Sequence, residues 1–252
     1  SFALFLARWA RRLSWQETAE CFGTTWNRVY DAVRQVVDFG LKHRDLSPVE
    51  AVGVDEIQFG RGHQYLTLVY RIDAGARQLL YIGRDRTART LLRFFHDRGR
   101  DWCGQVKFVC SDMWQPYLKV IAKKLPGAVH ILDRFHIVAK LNDAVDAVRR
   151  EETKRLKAQG YENHLAKSKY CFLKRPENLT GKQETRLRDV LQYDLRSVRA
   201  YLLKESFQLF WTYTSPYWAC WFLRKWCTRA MRSRLEPVKK FVGMTNKADM
   251  AE

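Results

Sequence analysis

Two apolar runs of the sequence each lead into a carboxylate. The run 51–54 is followed by Asp55 and Glu56, and the run 106–111 is followed by Asp112. Two buried strands that each end in an aspartate would offer the hard oxygen ligands that Mg²⁺ prefers, as two-metal phosphoryl transfer requires. We therefore predict that Asp55 and Asp112 are catalytic residues and ligands of two Mg²⁺ (or Mn²⁺) ions.

Three further residues are predicted to support this pair. Glu56 directly follows Asp55, so strand alternation points its side chain to the opposite face of the sheet, which favours a supporting or structural charge over a ligand. Asp133 and His136 are separated by two residues at the start of a helix, where both could reach a phosphate or orient a metal ligand. The alternative is a helix cap for Asp133 and an interior structural histidine for His136.

The elements that position these residues follow one another in a recognisable order. Hydrophobic periodicity predicts strands at 51–56, 65–73 and 78–83, a helix at 87–97, a strand at 106–111, a helix at 115–124 and a strand at 128–132. This order resembles the ribonuclease H-like α/β fold, a mixed sheet with three antiparallel strands and then a β-α-β unit. In that fold the strand after the first helix pairs with the first strand, which would make Asp55 and Asp112 neighbours.

Residues 1–46 are predicted to form a DNA-binding segment. A capping box begins at Ser14, and Ala19, Gly23 and Val29 have the spacing of the small residue, the tight turn and the core anchor of a helix-turn-helix. An ordinary helical hairpin that supports the next domain is the alternative. In a helix-turn-helix the second helix would lie in the major groove, and its exposed candidates for DNA contacts are Thr25, Asn27, Arg28 and Asp31.

The remaining sequence is helical and has a different composition. Four tryptophans recur at helical spacing, and we interpret them as the core of a helical bundle, with platforms for base stacking as the alternative. They are Trp211, Trp218, Trp221 and Trp226. The predicted organisation is a helix-turn-helix segment (1–46), the first part of a catalytic core (51–141), a helical segment (142–238) and a short, weakly structured tail (239–252).

The amino-acid composition indicates which kinds of partner the chain could bind. The chain has 45 Lys and Arg against 27 Asp and Glu, a net charge of +18, which favours a polyanionic partner such as nucleic acid. Six cysteines without CxxC or CxxH pairing indicate reduced thiols of a cytosolic protein. No run approaches the roughly 18 apolar residues of a membrane span, so we expect no membrane partner.

Together these motifs resemble the bacterial insertion-sequence transposases of the DDE class, in the group called ISL-three. The resemblance is carried by the segments 13–17, 53–56, 62–65, 111–114, 133–136, 149–152 and 174–179. It implies that Asp55 and Asp112 are the first two catalytic acids and that 142–238 is a large all-α insertion before the third. It also implies a cytoplasmic, nucleoid-associated protein that binds transposon terminal inverted repeats and target DNA and forms a homo-oligomer when active.

Two parts of the family's pattern are missing from the sequence. The third acid of the family is a Glu in a Val-Glu-Gly-Leu-Asn-like helix downstream of the segment that matches 233–237, and neither Glu205, Glu236 nor Glu252 has those surroundings. An N-terminal zinc-binding segment is missing as well. We therefore expect a C-terminally truncated copy. The favoured hypothesis is a DNA transposase. The alternatives are an inactive transposase fragment that at most binds DNA, and a nuclease or resolvase with the same fold.

Overall fold

The computed structural model describes residues 1–43, 48–162 and 164–249, with side chains described as far as Thr245. The chain divides into two compact units, residues 1–49 and 50–252. The end of the predicted helix-turn-helix segment (residues 44–46) and Glu252 lie outside the described residues.

In the smaller unit, residues 1–43 form three helices, α1 (Phe2–Trp9), α2 (Trp15–Cys21) and α3 (Trp26–His43). The predicted capping box is present at the start of α2, where Ser14 and Glu17 each accept a hydrogen bond from the other's backbone N–H. Gly23 has a φ of +58°, which glycine adopts without strain and which turns the chain between α2 and α3. These helix boundaries follow the predicted pattern, whereas DNA binding by α3 stays a prediction.

The larger unit contains a five-stranded mixed sheet with the order β3-β2-β1-β4-β5. The first three strands are antiparallel, and β4 and β5 continue the sheet in parallel with β1. This arrangement confirms the predicted mixed sheet and is consistent with a ribonuclease H-like fold. The strands are β1 (Ala51–Gly60), β2 (Gln64–Arg71), β3 (Gln78–Arg84), β4 (Phe108–Ser111) and β5 (Val129–Leu132).

Strand β1 is longer than the sequence predicted. It was expected to end at Asp55–Glu56, but it continues to Gly60 because its second half pairs with β2 in a hairpin. The prediction that Asp55 lies at the tip of its strand is therefore wrong. The parallel pairing with β4 nevertheless stops at Val54, opposite Ser111, so Asp55 is the first residue beyond it.

Three helices accompany the sheet, α4 (Ala88–Arg98), α5 (Arg100–Gln105) and α6 (Gln115–Lys124). The predicted helices at 87–97 and 115–124 are confirmed, and α5 was not predicted. Thr87 caps α4 by accepting a hydrogen bond from Thr90 N.

The helical segment is built from six further helices: α7 (Arg134–Ala158), α8 (Lys169–Leu173), α9 (Gly181–Leu191), α10 (Arg196–Gln208), α11 (Pro216–Arg232) and α12 (Glu236–Asp249). Helix α7 runs without a break through the predicted boundary between 141 and 142. The prediction of a weakly structured tail is wrong, because α12 buries Val238, Phe241 and Val242 in the same core as α7 and α10. Met113 and Leu132 pack against this core, so the helical segment is joined to the ends of β4 and β5.

The four tryptophans divide into two pairs. Trp226 is buried and donates a hydrogen bond to Leu203 O, and Trp211 packs against the helical core. Trp218 and Trp221 are 53% and 45% exposed, so the interpretation of all four as bundle core is wrong for these two. Helical spacing alone was insufficient, because at about 100° per residue Trp218 lies roughly 80° and Trp221 roughly 140° around α11 from the buried Trp226.

Two further expectations concern the chain as a whole. All six cysteines are free thiols, as predicted. Across the parts of the chain that the structure describes, none of the helices is both long and apolar enough to cross a bilayer.

Candidate active site

The sheet brings the two predicted catalytic aspartates to the same edge. Val54 of β1 and Ser111 of β4 are paired in parallel register, and Asp55 and Asp112 are the next residues of the two chains. Neighbouring strands lie about 4.8 Å apart, so the backbones of the two aspartates are adjacent. The predicted pairing of their strands is confirmed, whereas their catalytic roles stay predictions.

An arginine that the sequence reading missed binds one of these aspartates. Arg86 Nη2 donates to Asp112 Oδ2 at 2.8 Å, and Arg86 Nε lies 2.5 Å from Glu56 Oε1 in an ion pair whose geometry is not that of a hydrogen bond. The guanidinium also lies 4.7 Å from the ring centroid of Trp114. Trp114 N donates to Asp112 Oδ1 at 3.0 Å. Asp112, which is only 7% exposed, is therefore held from two sides.

The position of Arg86 could have been inferred from strand direction. Strand β3 runs parallel to β1 and β4, because both β1 and β3 are antiparallel to β2. The carboxyl ends of β3 and β4 therefore lie at the same edge of the sheet, beside the second half of β1. A basic residue two positions after Arg84, the last residue of β3, belongs at that edge.

The negative charge of Glu56 is only partly balanced by its neighbours. Burial raises the pKa of Glu56, the nearby negative charge of Asp112 raises it further, and Arg86 opposes both effects. Among the residues that the structure describes, none donates a hydrogen bond to the buried Glu56 Oε2. Asp55 also contributes to the raised pKa of Glu56, so both predicted catalytic charges act on this one side chain.

The face of the sheet near Glu56 is closed by a buried hydroxyl pair. Thr67, which is paired with Glu56 across β1 and β2, has its Oγ1 2.7 Å from the hydroxyl of Tyr117 on α6. Burial raises the pKa of Tyr117 to about 12. The tyrosine is therefore a neutral hydrogen-bonding partner at neutral pH, and it adds no charge to the site.

Asp55 has different neighbours from Asp112. His136 Nε2 lies 3.9 Å from Asp55 Oδ1 and 3.9 Å from Asp133 Oδ2, so the histidine stands between the two carboxylates. Asp133 also caps α7, because its Oδ1 accepts a hydrogen bond from Phe135 N at 2.8 Å. His136 is partly exposed rather than interior. Two of the three predicted supporting residues, Asp133 and His136, thus lie together beside Asp55, and the third, Glu56, is linked to Asp112 through Arg86.

Gly53, two residues before Asp55, packs so closely against Tyr70 that a larger residue would not fit. A Cβ atom on Gly53 would lie 2.6 Å from the ring of Tyr70 on the neighbouring strand, which is well inside van der Waals contact. Burial raises the pKa of Tyr70, and the nearby negative charge of Asp55 raises it further. Gly53 therefore lets the β2 side chain lie flat against β1 next to the site.

The side chains at this edge supply only some of the ligands that a divalent cation needs. Carboxylate oxygens of Asp55 and Asp112 are the ligands that Mg²⁺ prefers, and Mg²⁺ commonly uses one or two carboxylates together with water and substrate phosphates. Within residues 1–43, 48–162 and 164–249, no three His, Cys, Asp or Glu side chains form a group that could hold a metal by themselves. The chemistry of the pair fits Mg²⁺, and the remaining ligands would come from water and phosphate.

The predicted DNA-binding residues lie on one helix of the smaller unit. Thr25, Asn27, Arg28 and Asp31 are all exposed, at or just after the start of α3. The hydroxyl of Thr25 accepts a hydrogen bond from Arg28 N at 3.4 Å, so Thr25 has a capping role of its own. The structure thus leaves these side chains accessible, and their contacts with DNA stay a prediction.

The strand order places this chain among mixed α/β proteins, and together with the neighbouring aspartates it is consistent with the ribonuclease H-like fold of transposases. Comparison with protein families narrows this class, because residues 52–250 match the ISL-three family of DDE proteins, described as "Transposase". The chain therefore belongs to this transposase family.

Two curated relatives agree with this assignment. The chain is 28% identical over 228 residues to the transposase for insertion sequence element IS1001 of Bordetella parapertussis, which covers 90% of this chain and 56% of the relative. It is 29% identical over 217 residues to the transposase for insertion sequence element IS1557 of Mycobacterium tuberculosis, which covers 77% of this chain and 46% of the relative. The chain thus spans about half the length of the curated relatives it matches.

Proposed function

We propose that this chain carries the strand-cutting site of an insertion-sequence transposase and that Asp55 and Asp112 are its first two catalytic acids. The observation that carries the proposal is the parallel register of β1 and β4, which makes these aspartates neighbours in a chain that belongs to the family. Metal-dependent strand cleavage followed by strand transfer is the reaction we assign to the site.

Each residue of the site has a distinct part in this proposal. Asp55 and Asp112 would hold two Mg²⁺ or Mn²⁺ ions together with water and DNA phosphates. Bound there, the ions would activate the attacking water or 3′-hydroxyl and stabilise the leaving oxygen. Arg86 positions Asp112, to which it donates at 2.8 Å, and His136 lies close enough to Asp55 to orient its carboxylate.

DNA would be held by other parts of the chain. We propose that α3 lies in the major groove and presents Thr25, Asn27, Arg28 and Asp31 to the terminal inverted repeats of the transposon. The net charge of +18 would supply sequence-independent affinity for those repeats and for target DNA. The active form would be a homo-oligomer that acts on DNA in the bacterial cytoplasm.

A cleavage assay tests the proposal. The protein is incubated with duplex DNA that carries the terminal repeats of its insertion sequence, in Mg²⁺, in Mn²⁺ and in EDTA. We expect nicks at the repeat ends in Mg²⁺ and Mn²⁺ and none in EDTA. The variant Asp112→Asn is expected to bind the DNA but not to nick it.

The matched control is Asp101→Asn, which removes an exposed carboxylate from the first turn of α5 and should nick like the wild type. Nicking by Asp112→Asn at the wild-type rate would remove Asp112 from the site. Binding without cleavage by the wild-type protein would support a DNA-binding remnant instead of a transposase with a working site.

A further inference from the structure

One exposed side of helix α11 combines tryptophans with basic side chains. Trp218, Trp221, Lys225 and Arg232 follow one another at intervals of three, four and seven residues, so they lie along one side of the helix. Arg224 flanks this row. We call these five residues the aromatic–basic face of α11.

The tryptophans of this face are unusually accessible. Large aromatic side chains dominate protein cores, yet Trp218 and Trp221 leave about half of their surface open. Their rings meet edge to face, with centroids 6.0 Å apart, and Lys225 Nζ lies 4.5 Å from the Trp221 ring centroid. Exposed rings that are fixed in this way mark a contact surface rather than a packing defect.

The charge of the face is uncompensated. The sequence from Pro216 to Arg232 contains no Asp or Glu, and among the described residues no carboxylate forms an ion pair with Arg224, Lys225 or Arg232. These side chains and Trp221 line a groove of about 520 Å³. Cations beside exposed aromatic rings suit a partner that carries both negative charge and flat ring faces.

We propose that the aromatic–basic face of α11 binds single-stranded DNA. Unpaired bases stack on Trp218 and Trp221, and the phosphates that follow them lie along Arg224, Lys225 and Arg232. In duplex DNA the bases are already stacked on one another, so a duplex uses the cations but not the rings. The inference rests on the proposed function because it takes DNA as the partner, but it requires no strand cutting.

Fluorescence anisotropy separates these modes. Labelled oligo-dT of about 16 nucleotides and a duplex of the same length are titrated with the whole chain in EDTA. Trp221→Ala is expected to raise the Kd for oligo-dT about tenfold, equivalent to about 1.4 kcal/mol, and to change the Kd for the duplex less than about twofold. Trp221→Phe should recover most of the affinity, and Lys225→Gln should weaken both DNA forms.

Tyr170→Ala is the matched control, because Tyr170 is also exposed in the helical segment and has Lys169 Nζ 5.5 Å from its ring centroid. It should leave both affinities unchanged. Equal losses for oligo-dT and duplex with Trp221→Ala, or no loss for either, would overturn the proposal. So would a wild-type dimer that Trp221→Ala converts to monomer in sedimentation without a change in DNA binding.

Because the titrations contain EDTA, their outcome does not depend on the site at Asp55 and Asp112. Unchanged oligo-dT binding by Asp112→Asn together with lost nicking would support both proposals. Lost oligo-dT selectivity in Trp221→Ala alongside absent nicking by the wild type would uphold this inference and contradict the proposed reaction.

Discussion

Two glutamates of the larger unit, Glu152 fully buried and Glu56 partly buried, have opposite surroundings. Glu152 of α7 is 1% exposed, and its carboxylate accepts hydrogen bonds from Arg196 N at 2.9 Å, Ser197 N at 2.7 Å and Ser197 Oγ at 2.6 Å. Arg155 adds a fourth donor at 3.1 Å. Glu56 of β1 has one ion pair with Arg86, a negatively charged neighbour in Asp112, and an Oε2 that no described residue hydrogen-bonds.

We interpret Glu152 as a structural charge and Glu56 as part of the proposed site. The carboxylate of Glu152 satisfies the free backbone N–H groups at the start of α10 and so fixes that helix against α7. Glu56 has too few donors and lies beside two aspartates, an arrangement that costs stability and that is typical of sites which bind or react. The buried charge of the helical segment is thus fully satisfied by protein donors, and we propose that the charge at the sheet edge is balanced by a bound cation.

The largest effect is expected at the satisfied carboxylate. Glu152→Ala leaves two backbone donors, a serine hydroxyl and Arg155 without their acceptor, and we expect a loss of roughly 3–5 kcal/mol in the free energy of unfolding. Urea denaturation measures this loss. Glu151→Ala, which removes the exposed neighbouring carboxylate, should change stability by less than about 0.5 kcal/mol. An equally small change in stability for Glu152→Ala and Glu151→Ala would contradict a structural role for Glu152.

A smaller effect is expected at Arg86. Its removal leaves Glu56 and Asp112 without their shared cation, and because Arg86 is itself partly exposed we expect a loss of roughly 2 kcal/mol. Added Mn²⁺ should stabilise Arg86→Ala more than the wild type in a thermal melt, because an ion that binds only the folded state raises stability. Arg89→Ala, at an exposed position of α4, is the control. The absence of a Mn²⁺ shift in both proteins would argue against a cation site at this edge, and equal shifts would show that Arg86 does not compete with the ion.

The smallest change in stability is expected for Glu56→Gln. Neutralising a buried carboxylate that has few donors removes its repulsion from Asp112, so unfolding should change by less than about 1 kcal/mol. The same substitution at Glu152 replaces an acceptor with a donor that faces other donors and should lose roughly 1–3 kcal/mol. Paired urea curves show the contrast, and a greater loss from Glu56→Gln would reverse our assignment of the two roles.

Local signals in the sequence were sufficient for the order of the strands and helices. Apolar runs with strand periodicity, separated by turns and helices, predicted that order, whereas the pairing of β1 with β4 was inferred from its resemblance to the ribonuclease H-like fold. The capping box at Ser14 and Glu17 could be recognised because it is encoded within four residues. These features depend on neighbours in sequence, and they were predicted well.

Features that depend on distant contacts were missed. The second half of β1 forms only because β2 pairs with it, and α12 is stabilised by burial of Phe241 against other helices. The exposure of Trp221 follows from which side of α11 faces the bundle, which spacing alone does not decide. Arg86 reaches Asp112 across strands that are separated in sequence, so it could be found only by reasoning about strand direction.

The central claim is that Asp55 and Asp112 share divalent ions at the edge of the sheet. Isothermal titration of Mn²⁺ into the protein tests it most directly, with Asp55→Asn and Asp112→Asn compared against Asp101→Asn. We predict that each of the first two variants weakens Mn²⁺ binding by more than about tenfold and that Asp101→Asn binds like the wild type. Wild-type Mn²⁺ affinity in both Asp55→Asn and Asp112→Asn would contradict the account.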